Sequence, residues 1–498
     1  MNKNFYITTP IYYPSAKPHM GHAYSSIAAD VIARFKRIEG NNVFFVTGTD
    51  EHGLKIQKAA ENENKNPQDF CNEISKTFID LTKTLNLSNS DFIRTTEDRH
   101  KKTAVKLWEL LDKNEQIYLS KYAGWYSVSD EAYYSEDEID EIDGKKISKL
   151  SGSPVEWMEE ESFFFKLSEW QKPLLKFYQD NPSFIKPESR KNEVISFVSG
   201  GLKDLSISRT TFKWGIPVPK NSKHIMYVWL DALTNYISAT NFFENHNEYW
   251  PANVHIIGKD ILRFHAVYWP AFLMAAKLPL PKQVFGHGWI LSGEEKMSKS
   301  KGNILDPVAL IDKFGSDELR YYLMKEVIFG LDGNVNIENF KNTINDLANN
   351  IGNLSNRIFT ILDKNYNCKV PDISSGYTIN ENLLIKTKEF INIINNYEIH
   401  NYLKKIHSYS SALNKYVNDN EPWNKKINSD QNIKNILYST IIGLKNIFIL
   451  LYPVTPKSSI SFLQNLNINK KDINLNLVNK EIEINQKLSK PDILFKKY

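Results

Sequence analysis

Apolar residues fall in two registers along this chain, and each change of register marks a change of element. Phe5-Tyr6-Ile7 is a short unbroken apolar run, as in a buried strand, and Pro10 and Pro14 then interrupt the backbone. From His19 onward, Ala23, Ile27, Val31 and Phe35 recur every fourth residue, which predicts a helix with one buried face. Gly40 suits its C-terminal stop, and Val43-Phe44-Phe45-Val46 predicts the next strand. Strand, helix, strand in so short a span is a βαβ unit. It implies a parallel sheet with ligands at the carboxyl ends of its strands, here residues 8–14 and 47–53.

A second α/β half is legible near residues 225–330. Val254-His255-Ile256-Ile257 predicts a strand, Leu262, Val267, Phe272 and Met274 trace a helix, and Gln283-Val284-Phe285 predicts another strand. Between the halves the text changes: residues 122–134 are aromatic and β-like, residues 136–143 are acidic, and Phe163-Phe164-Phe165 precedes a helical stretch ending near Tyr178. Beyond about residue 335 strand signals fade, and four helical patterns follow at roughly 338–363, 380–397, 399–418 and 431–451. The tail after 465 is rich in Asn and Lys, weakly periodic, and expected to be partly extended or loosely docked. The expected fold is α/β: a split Rossmann-like parallel-sheet catalytic domain with an inserted connective domain, followed by an all-α helical bundle. The expected bounds are 1–115 and 221–335 for the catalytic halves, 116–220 for the insertion and 336–498 for the bundle and tail.

Composition narrows this picture modestly. With 498 residues the chain has room for about three domains, and 41% hydrophobic with 24% charged residues suits an ordinary globular protein. A formal charge of +4 permits a nucleic-acid partner without requiring one. Cys71 and Cys368 share no motif spacing, which argues against a disulfide framework or a Cys-rich metal site. The first residues lack a signal-peptide core and no run of about 18 apolar residues occurs, so a cytoplasmic protein without a membrane span is expected.

Two strings carry chemistry. His19-Met20-Gly21-His22 opens the first helix, where unpaired N–H groups and the positive dipole end attract phosphate. Gly21 lets a nucleotide approach closely, and two imidazoles can donate to phosphate oxygens; the plainer reading is that the histidines only cap and pack the helix. Lys296-Met297-Ser298-Lys299-Ser300 lies on a stretch flanked by Gly288, Gly293 and Gly302. A mobile pair of ammonium groups can close on a pentavalent phosphate and leave the ground state alone, which is differential stabilisation of the transition state. Taken alone, a Lys-rich loop is usually only solvated. Together the strings indicate attack on the α-phosphate of ATP with loss of pyrophosphate.

Further strings are Thr8-Thr9-Pro10-Ile11-Tyr12-Tyr13, Thr47-Gly48-Thr49-Asp50-Glu51-His52-Gly53, Tyr227-Val228-Trp229-Leu230-Asp231-Ala232 and Ile257-Gly258-Lys259-Asp260. With the two signatures and the stretch from His287 to Ser300, they resemble the class I aminoacyl-tRNA synthetases. More narrowly, they resemble the bacterial methionyl-tRNA synthetases over essentially the whole chain. The resemblance implies a methionine–tRNA ligase that makes methionyl-adenylate from methionine and ATP with Mg²⁺, then charges initiator and elongator methionine tRNA. It implies catalytic roles for His19, His22, Lys296 and Lys299, and ATP contacts at Gly21, Arg209, Gly258, Asp260 and Lys299. Asp50 would pair with the substrate ammonium. Ile11, Tyr13, Trp229, Leu233, Tyr236 and His287 would enclose the methionine side chain, with Leu233 standing where relatives can carry a proline. A thioether sulfur favours aromatic neighbours at about 5 Å, each worth roughly 0.3–1.5 kcal/mol, and Tyr13 and His287 could add a weak hydrogen bond to it. Asn353, Arg357 and Trp423 fall at anticodon-reading positions, where splayed bases stack on aromatic rings.

One departure stands out. Many relatives carry a cysteine-built zinc knuckle in the insertion, and here the stretch reads Ser127-Val128-Ser129-Asp130. Thiolates are the expected structural zinc ligands, so the expectation is no metal, with Tyr122, Trp125, Tyr126, Tyr133 and Tyr134 holding the insertion. The chain leaves no room for the carboxyl-terminal dimerisation domain of longer relatives, so a monomer is expected. Another nucleotidyltransferase using a His-x-Gly-His site is the alternative, but it leaves the insertion and the bundle unexplained. A non-enzymatic tRNA-binding relative would have damaged signatures, and both are intact. Sibling ligases for leucine, isoleucine or valine carry a much larger insertion.

Overall fold

The structure, a computed structural model, describes residues 3–498 except 131, 143, 245–247, 293–294, 297–305 and 428. At 122, 123, 132, 133, 160, 292, 295 and 296 the backbone alone is described.

The first half runs β1 (Asn4–Tyr12), α1 (Met20–Ile38), β2 (Asn42–Thr49), α2 (Leu54–Asn62), α3 (Pro67–Thr84), β3 (Asp91–Arg94) and α4 (Asp98–Lys113). Helix α1 forms where the four-residue spacing predicts it: Ala23, Ile27, Val31 and Phe35 are fully buried, and Lys36 and Arg37 in its last turn complement the negative end of its dipole. Gly40, at φ +100°, turns the chain out of the helix in a conformation that other residues rarely adopt.

The middle runs β4 (Ile117–Ser127), β5 (Ala132–Tyr134), β6 (Ile139–Ile142), β7 (Lys145–Ser148), β8 (Glu156–Phe165), α5 (Gln171–Asp180), β9 (Ile185–Lys186) and α6 (Glu188–Ser199). Four short strands follow: β10 (Leu205–Ser206), β11 (Ser208–Arg209), β12 (Pro217–Val218) and β13 (Asn221–Met226). The second half runs α7 (Val228–Ser238), β14 (Val254–Gly258), α8 (Trp269–Ala275), β15 (Val284–His287), β16 (Ile290–Ser292) and β17 (Glu295–Lys296). Helices α9 (Pro307–Phe314) and α10 (Ser316–Glu326) and strand β18 (Gly333–Asn334) complete it.

The main sheet has the order β3-β2-β1-β14-β15-β9 and is parallel throughout. Strand order reverses between β1 and β14, so the crevice for a ligand opens at the carboxyl ends of those two strands. Ile185 and Lys186, inside the stretch expected to be inserted, belong to this sheet and pair with Val284 and Phe285. Strands β10, β8, β4 and β5 form a separate antiparallel sheet.

The bundle comprises α11 (Ile337–Leu347), α12 (Asn353–Tyr366), α13 (Thr387–Asn395), α14 (Ile399–Asn420), α15 (Asp430–Leu451) and α16 (Pro456–Asn465). The single helix expected over 338–363 is interrupted by a π-helical turn at Ala348–Gly352. The pattern at 380–397 overreached: a short turn at Glu381–Leu383 precedes the helix, which starts at Thr387. Helix α16 was not expected, and the tail is not loose. Val478, Leu488 and Phe495 are buried, and Leu488 N–H donates to Cys368 O at 2.7 Å. Helix α15 is long and apolar enough to cross a membrane by length and composition, yet nearly all of it is buried as the core helix of the bundle.

One hydrophobic cluster runs from Ile7 and Phe45 under the sheet through α1 and α10 into α15 and α16, so the bundle is not packed separately from the catalytic part. A buried charged hub sits in that seam. Asp30 on α1 pairs with Arg34 at 2.7 Å and with Arg320 of α10 at 2.7 Å, and its other oxygen accepts from Ser88 N and Oγ, both at 2.6 Å. Arg320 also donates to Val454 O and Pro453 O, each at 2.8 Å, and Arg34 to Tyr452 Oη at 3.2 Å, all just past the end of α15.

Candidate active site

The first turn of α1 is closed by its own histidines. Gly21 N–H donates to His19 Nδ1 at 3.1 Å, and His19 N–H donates to His22 Nδ1 at 3.0 Å. A backbone N–H can only donate, so both Nδ1 atoms are lone-pair acceptors and any ring proton sits on Nε2. The rings stack 3.8 Å apart, and His22 packs edge-on against Tyr12 and Phe78. Desolvation, with positive charge from His19 and Lys55, pushes the His22 imidazole well below its ordinary range. Both imidazoles therefore cap the helix through Nδ1 and keep Nε2–H as the donor. A Cβ on Gly21 would come within 3.0 Å of the His19 ring, so glycine is what lets that ring fold back over the helix mouth. The capping role weighed in the sequence is present, and it leaves the Nε2 edges of both rings outside the cap.

The lysine string lies mostly outside the described residues: Lys299 is not described, and Lys296 is described by its backbone alone. That backbone belongs to the hairpin β16–β17, with Leu291 paired to Lys296. The hairpin root is fixed to α1. Ser25 Oγ lies 2.7 Å from His287 Nε2 at the end of β15, and the Tyr24 ring meets His287 edge-on at 5.2 Å. Helix α1 and β16 are neighbours. The helix that opens on one signature and the strand that leads into the other are thus in direct contact.

Asp50 is buried just past β2, and its N–H donates to Tyr12 O at 2.9 Å. Ile11 and Tyr13 leave β1 beside it, with Lys55 Nζ 5.2 Å from the centre of the Tyr13 ring. Trp229, Leu233 and Tyr236 lie along α7, and they join Ile11 and Tyr13 at one hydrophobic cluster. Two residues that the sequence did not single out support this wall. Phe264 stacks on Trp229 at 3.7 Å and 7°, and His265 Nε2 lies 2.6 Å from Tyr236 Oη. His265 Nδ1 faces Ile261 O at 3.0 Å, and a carbonyl only accepts. Burial holds His265 down at about 4, so the ring is neutral and the Tyr236 hydroxyl is its donor. No sequence period marks Phe264 or His265. Both nitrogens of His287 have partners: Nδ1 lies 2.8 Å from Gly288 O and Nε2 2.7 Å from Ser25 Oγ.

Gly258 and Asp260 lie at the end of β14, across the switch point from β1. Gly258 registers with His287, and Asp260 accepts from the Trp289 indole at 3.2 Å. Lys259 pairs with Asp332 at 2.7 Å, whose other oxygen accepts from Trp289 N at 2.8 Å, so the lysine hairpin is tethered to this turn. Arg209 is not brought into this group. It is buried at the root of the insertion, donating to Ser208 O at 2.7 Å and Ser206 Oγ at 2.8 Å with its guanidinium over the Tyr227 ring at 4.7 Å.

In the insertion, Asp130 accepts from Tyr134 Oη at 2.8 Å, from Ser153 Oγ at 3.0 Å and from Ser151 Oγ. Tyr126 and Tyr134 are buried, and Trp125 meets Trp157 edge-on at 5.3 Å; the side chains of Tyr122 and Tyr133 lie outside the described residues. No group of three or more His, Cys, Asp or Glu with metal-site geometry occurs among the described residues. Far from the crevice, Asn353 and Arg357 share a face of α12. The Arg357 guanidinium lies 4.9 Å from the centre of the half-exposed Trp423 ring and donates to Asn418 Oδ1 at 3.0 Å.

Comparison with known proteins bears on the chain as a whole. The family model described as tRNA synthetases class I (M) matches residues 5–145 and 140–359. The methionine–tRNA ligase of Rickettsia prowazekii is 49% identical over 513 aligned positions, covering 100% of both chains. That of Brucella suis is 47% identical over 475, covering 94% of this chain and 92% of the relative. The Mycobacterium tuberculosis methionyl-tRNA synthetase in complex with methionyl-adenylate is 41% identical at a TM-score of 0.96, over 99% of this chain and 100% of that one. Its apo form is 38% identical at a TM-score of 0.88, over 100% and 99%. Sheet order, signature strings and full-length likeness agree: the chain belongs to the methionyl-tRNA synthetases of class I.

Proposed function

We infer that this enzyme ligates methionine to its tRNA in two steps. The methionine carboxylate attacks the α-phosphate of ATP; a bond forms from carboxylate oxygen to phosphorus and the bond to pyrophosphate breaks. The terminal ribose hydroxyl of tRNA then attacks the adenylate carbonyl, and AMP leaves. No side-chain nucleophile is required, so catalysis is positioning and charge stabilisation. The observation that carries the reading is the Ser25–His287 contact, which ties the first turns of α1 to the root of the lysine hairpin.

His19 and His22 donate from Nε2 to the triphosphate, Gly21 leaves room for it, and Lys296 and Lys299 close on the phosphates as they become pentavalent. Gly258 and Asp260 hold the adenosine. Arg209 reaches ATP only if the insertion root opens, which its burial counts against. Asp50 holds the ammonium; Ile11, Tyr13, Trp229, Leu233, Tyr236 and His287 enclose the side chain. Mg²⁺ would come with the triphosphate as part of the substrate and would supply charge neutralisation there. Asn353, Arg357 and Trp423 read the anticodon of initiator and elongator methionine tRNA alike, since both carry the same anticodon. The arginine over the half-exposed indole supports a base-stacking site.

The insertion works without zinc. Hydroxyls gathered on Asp130 support this, because they occupy the carboxylate with hydrogen bonds; a purified sample holding one zinc per chain overturns it. The enzyme acts as a cytoplasmic monomer, and a stable dimer in sedimentation overturns that. Pyrophosphate exchange against all twenty amino acids tests the central reading: exchange with methionine alone supports it, and methionine-independent exchange supports the nucleotidyltransferase alternative.

A further inference from the structure

A buried carboxylate that the reaction does not use lies directly behind the methionine wall. Asp231 is on the first turn of α7, two residues past Trp229, two before Leu233 and five before Tyr236, and it is 0% exposed. Its Oδ2 accepts from His52 Nδ1 at 2.6 Å, and its Oδ1 accepts from His100 Nε2 at 2.6 Å. The two imidazoles come from different elements. His52 is in the turn between β2 and α2, two residues past Asp50. His100 is on α4, and its Nδ1 lies 3.0 Å from Ser238 Oγ at the far end of α7. His100 therefore grips α7 at two points seven residues apart, two turns along one face. The His52 side is braced as well: its ring meets Trp214 edge-on at 5.5 Å, Gly53 N–H donates to Trp214 O at 3.0 Å, and the Trp214 indole donates to Glu51 O at 2.5 Å. Desolvation alone would raise Asp231; the two histidines outweigh it and hold the carboxyl down at about 2, so it is an anion throughout the working range.

We propose that Asp231 is a positioning residue for methionine capture. Through His52 and His100 it fixes the distance between the strand end that carries Asp50 and the helix that carries Trp229, Leu233 and Tyr236. This rests on reading Asp50 as the ammonium partner and those α7 residues as the side-chain wall. The physical reasoning is that of a ruler. An amino acid is held at its ammonium and at its side-chain terminus, so its length is measured by the gap between the two supports. Those supports sit on separate elements about 180 positions apart in sequence, and a displacement of about 1 Å between reacting or gripping groups is enough to cost on the order of 10²-fold. A charged clamp of two short hydrogen bonds, shielded from water, resists that displacement better than apolar contact, which slides. The clamp touches neither methionine nor ATP, and a general fold-stabilising role would not be selective between them.

Asp231→Asn keeps the shape and removes the charge and one acceptor. In pyrophosphate exchange it should raise the methionine KM about 10- to 100-fold, leave the ATP KM within two-fold and lower kcat at saturating methionine less than five-fold. Discrimination of methionine against S-methylcysteine, one methylene shorter, and homomethionine, one longer, should relax at least five-fold in kcat/KM. His100→Gln, remote from both substrates, should reproduce the selective methionine defect. Asp50→Ala run in parallel separates the two readings. If Asp50→Ala raises the methionine KM and Asp231→Asn with His100→Gln does not, the clamp is refuted and the ammonium assignment stands. If the Asp231 and His100 variants raise the methionine and ATP KM together, or only lower the melting temperature, the clamp is fold support and the proposal falls. If Asp50→Ala leaves the methionine KM unchanged, the reading beneath the proposal fails, and the proposal with it.

Discussion

Replacing Asp30 by Asn tests whether the charged hub beneath α1 holds the enzyme together. The substitution is nearly isosteric, so it opens no cavity; what it removes is the negative charge that balances Arg34 and Arg320, both almost fully buried. Burial alone would raise the Asp30 carboxyl. Arg34 and Arg320, with Ser88, outweigh that and hold it at about 2 against an ordinary 3.8. That difference corresponds to about 2.4 kcal/mol of extra stabilisation of the ionised form. The loss should exceed this floor, because the Asn amide turns a donor toward either a guanidinium or Ser88 N–H. Removing one partner of a buried ion pair typically costs about 3–5 kcal/mol. A cooperative unit of about 150–250 residues, such as the bundle with α10, moves about 2–4 °C per kcal/mol, so the melting temperature at pH 7 should fall by about 6–20 °C.

The pH dependence makes the test specific. The folded-state value is depressed, so the contribution is fully present above the unfolded value near 4 and is lost as pH falls toward 2. The gap between Asp30→Asn and the parent should therefore be flat from pH 8 to pH 5 and narrow by about 1 kcal/mol at pH 3. Thermal melts followed by circular dichroism at pH 7, 5 and 3 measure this directly. A variant that melts within about 2 °C of the parent at pH 7, or a gap that does not change by pH 3, would mean that apolar packing alone secures the seam.

Three further outcomes are expected. Lys299→Ala should slow methionyl-adenylate formation by about 10²–10³, as loss of one donor to a transition-state charge does, while methionine binding followed by tryptophan fluorescence stays nearly intact; an unchanged exchange rate removes the role given to the loop. Trp423→Ala should lower kcat/KM for tRNA charging about 5- to 150-fold, the range of one lost base stack at about 1–3 kcal/mol, and spare pyrophosphate exchange. Glu318, at the start of α10, is pushed up to about 7 by burial and the neighbouring Asp317, so its charge destabilises the fold increasingly as pH rises from 4.5 through 7. Glu318→Gln should raise stability by about 2 kcal/mol at pH 8 and by nothing at pH 4.5, read from urea melts at the two pH values.

The elements that sequence reading recovers are those whose signal is local. The Ala23-Ile27-Val31-Phe35 spacing gives α1 because one face of one helix meets the core. Helix α15 gives itself away by Ile433, Leu437, Ile441, Leu444 and Phe448, which recur at three- and four-residue spacing. The two-residue strand at Ile185 and Lys186 has no period to read; only Val284 and Phe285, about 100 positions away, make it a strand. Helix α16 begins at Pro456 directly after a turn at Pro453, and its buried residues are too few to set a pattern. The tail is polar in composition, yet Val478, Leu488 and Phe495 anchor it one at a time. Site residues divide in the same way. His19, Gly21 and His22 announce themselves by spacing at a helix start. Phe264 beneath Trp229 and the His52–Asp231–His100 clamp depend on contacts between distant segments, which no local window contains. Arg209 shows the converse, since a basic residue after an insertion reads as exposed while here it lies between Tyr126 and Tyr227.

Successive turns of α1 meet different parts of the reaction. Its first turn holds the imidazole cap, its second turn touches His287 through Ser25, and its third and fourth carry Asp30 and Arg34 into the seam with α10 and the end of α15. At 1.5 Å per residue, Asp30 lies only about 16 Å from His19 along one helix axis. Helix α1 is buried on nearly every face, so close packing favours its moving as one body over such a distance. Arg320 is bonded both to Asp30 and to the carbonyls that follow α15, so a displacement of the bundle relative to the sheet acts on α1 through charged contacts that either hold or break. On the proposed reading, an anticodon loop at the Arg357–Trp423 site would load that bundle. A continuous path of buried charged contacts thus runs from the end of α15 through Arg320 and Asp30 to α1. The path runs through one helix, so weakening the hub at Asp30 should loosen the coupling of tRNA binding to transfer more than it slows adenylate formation.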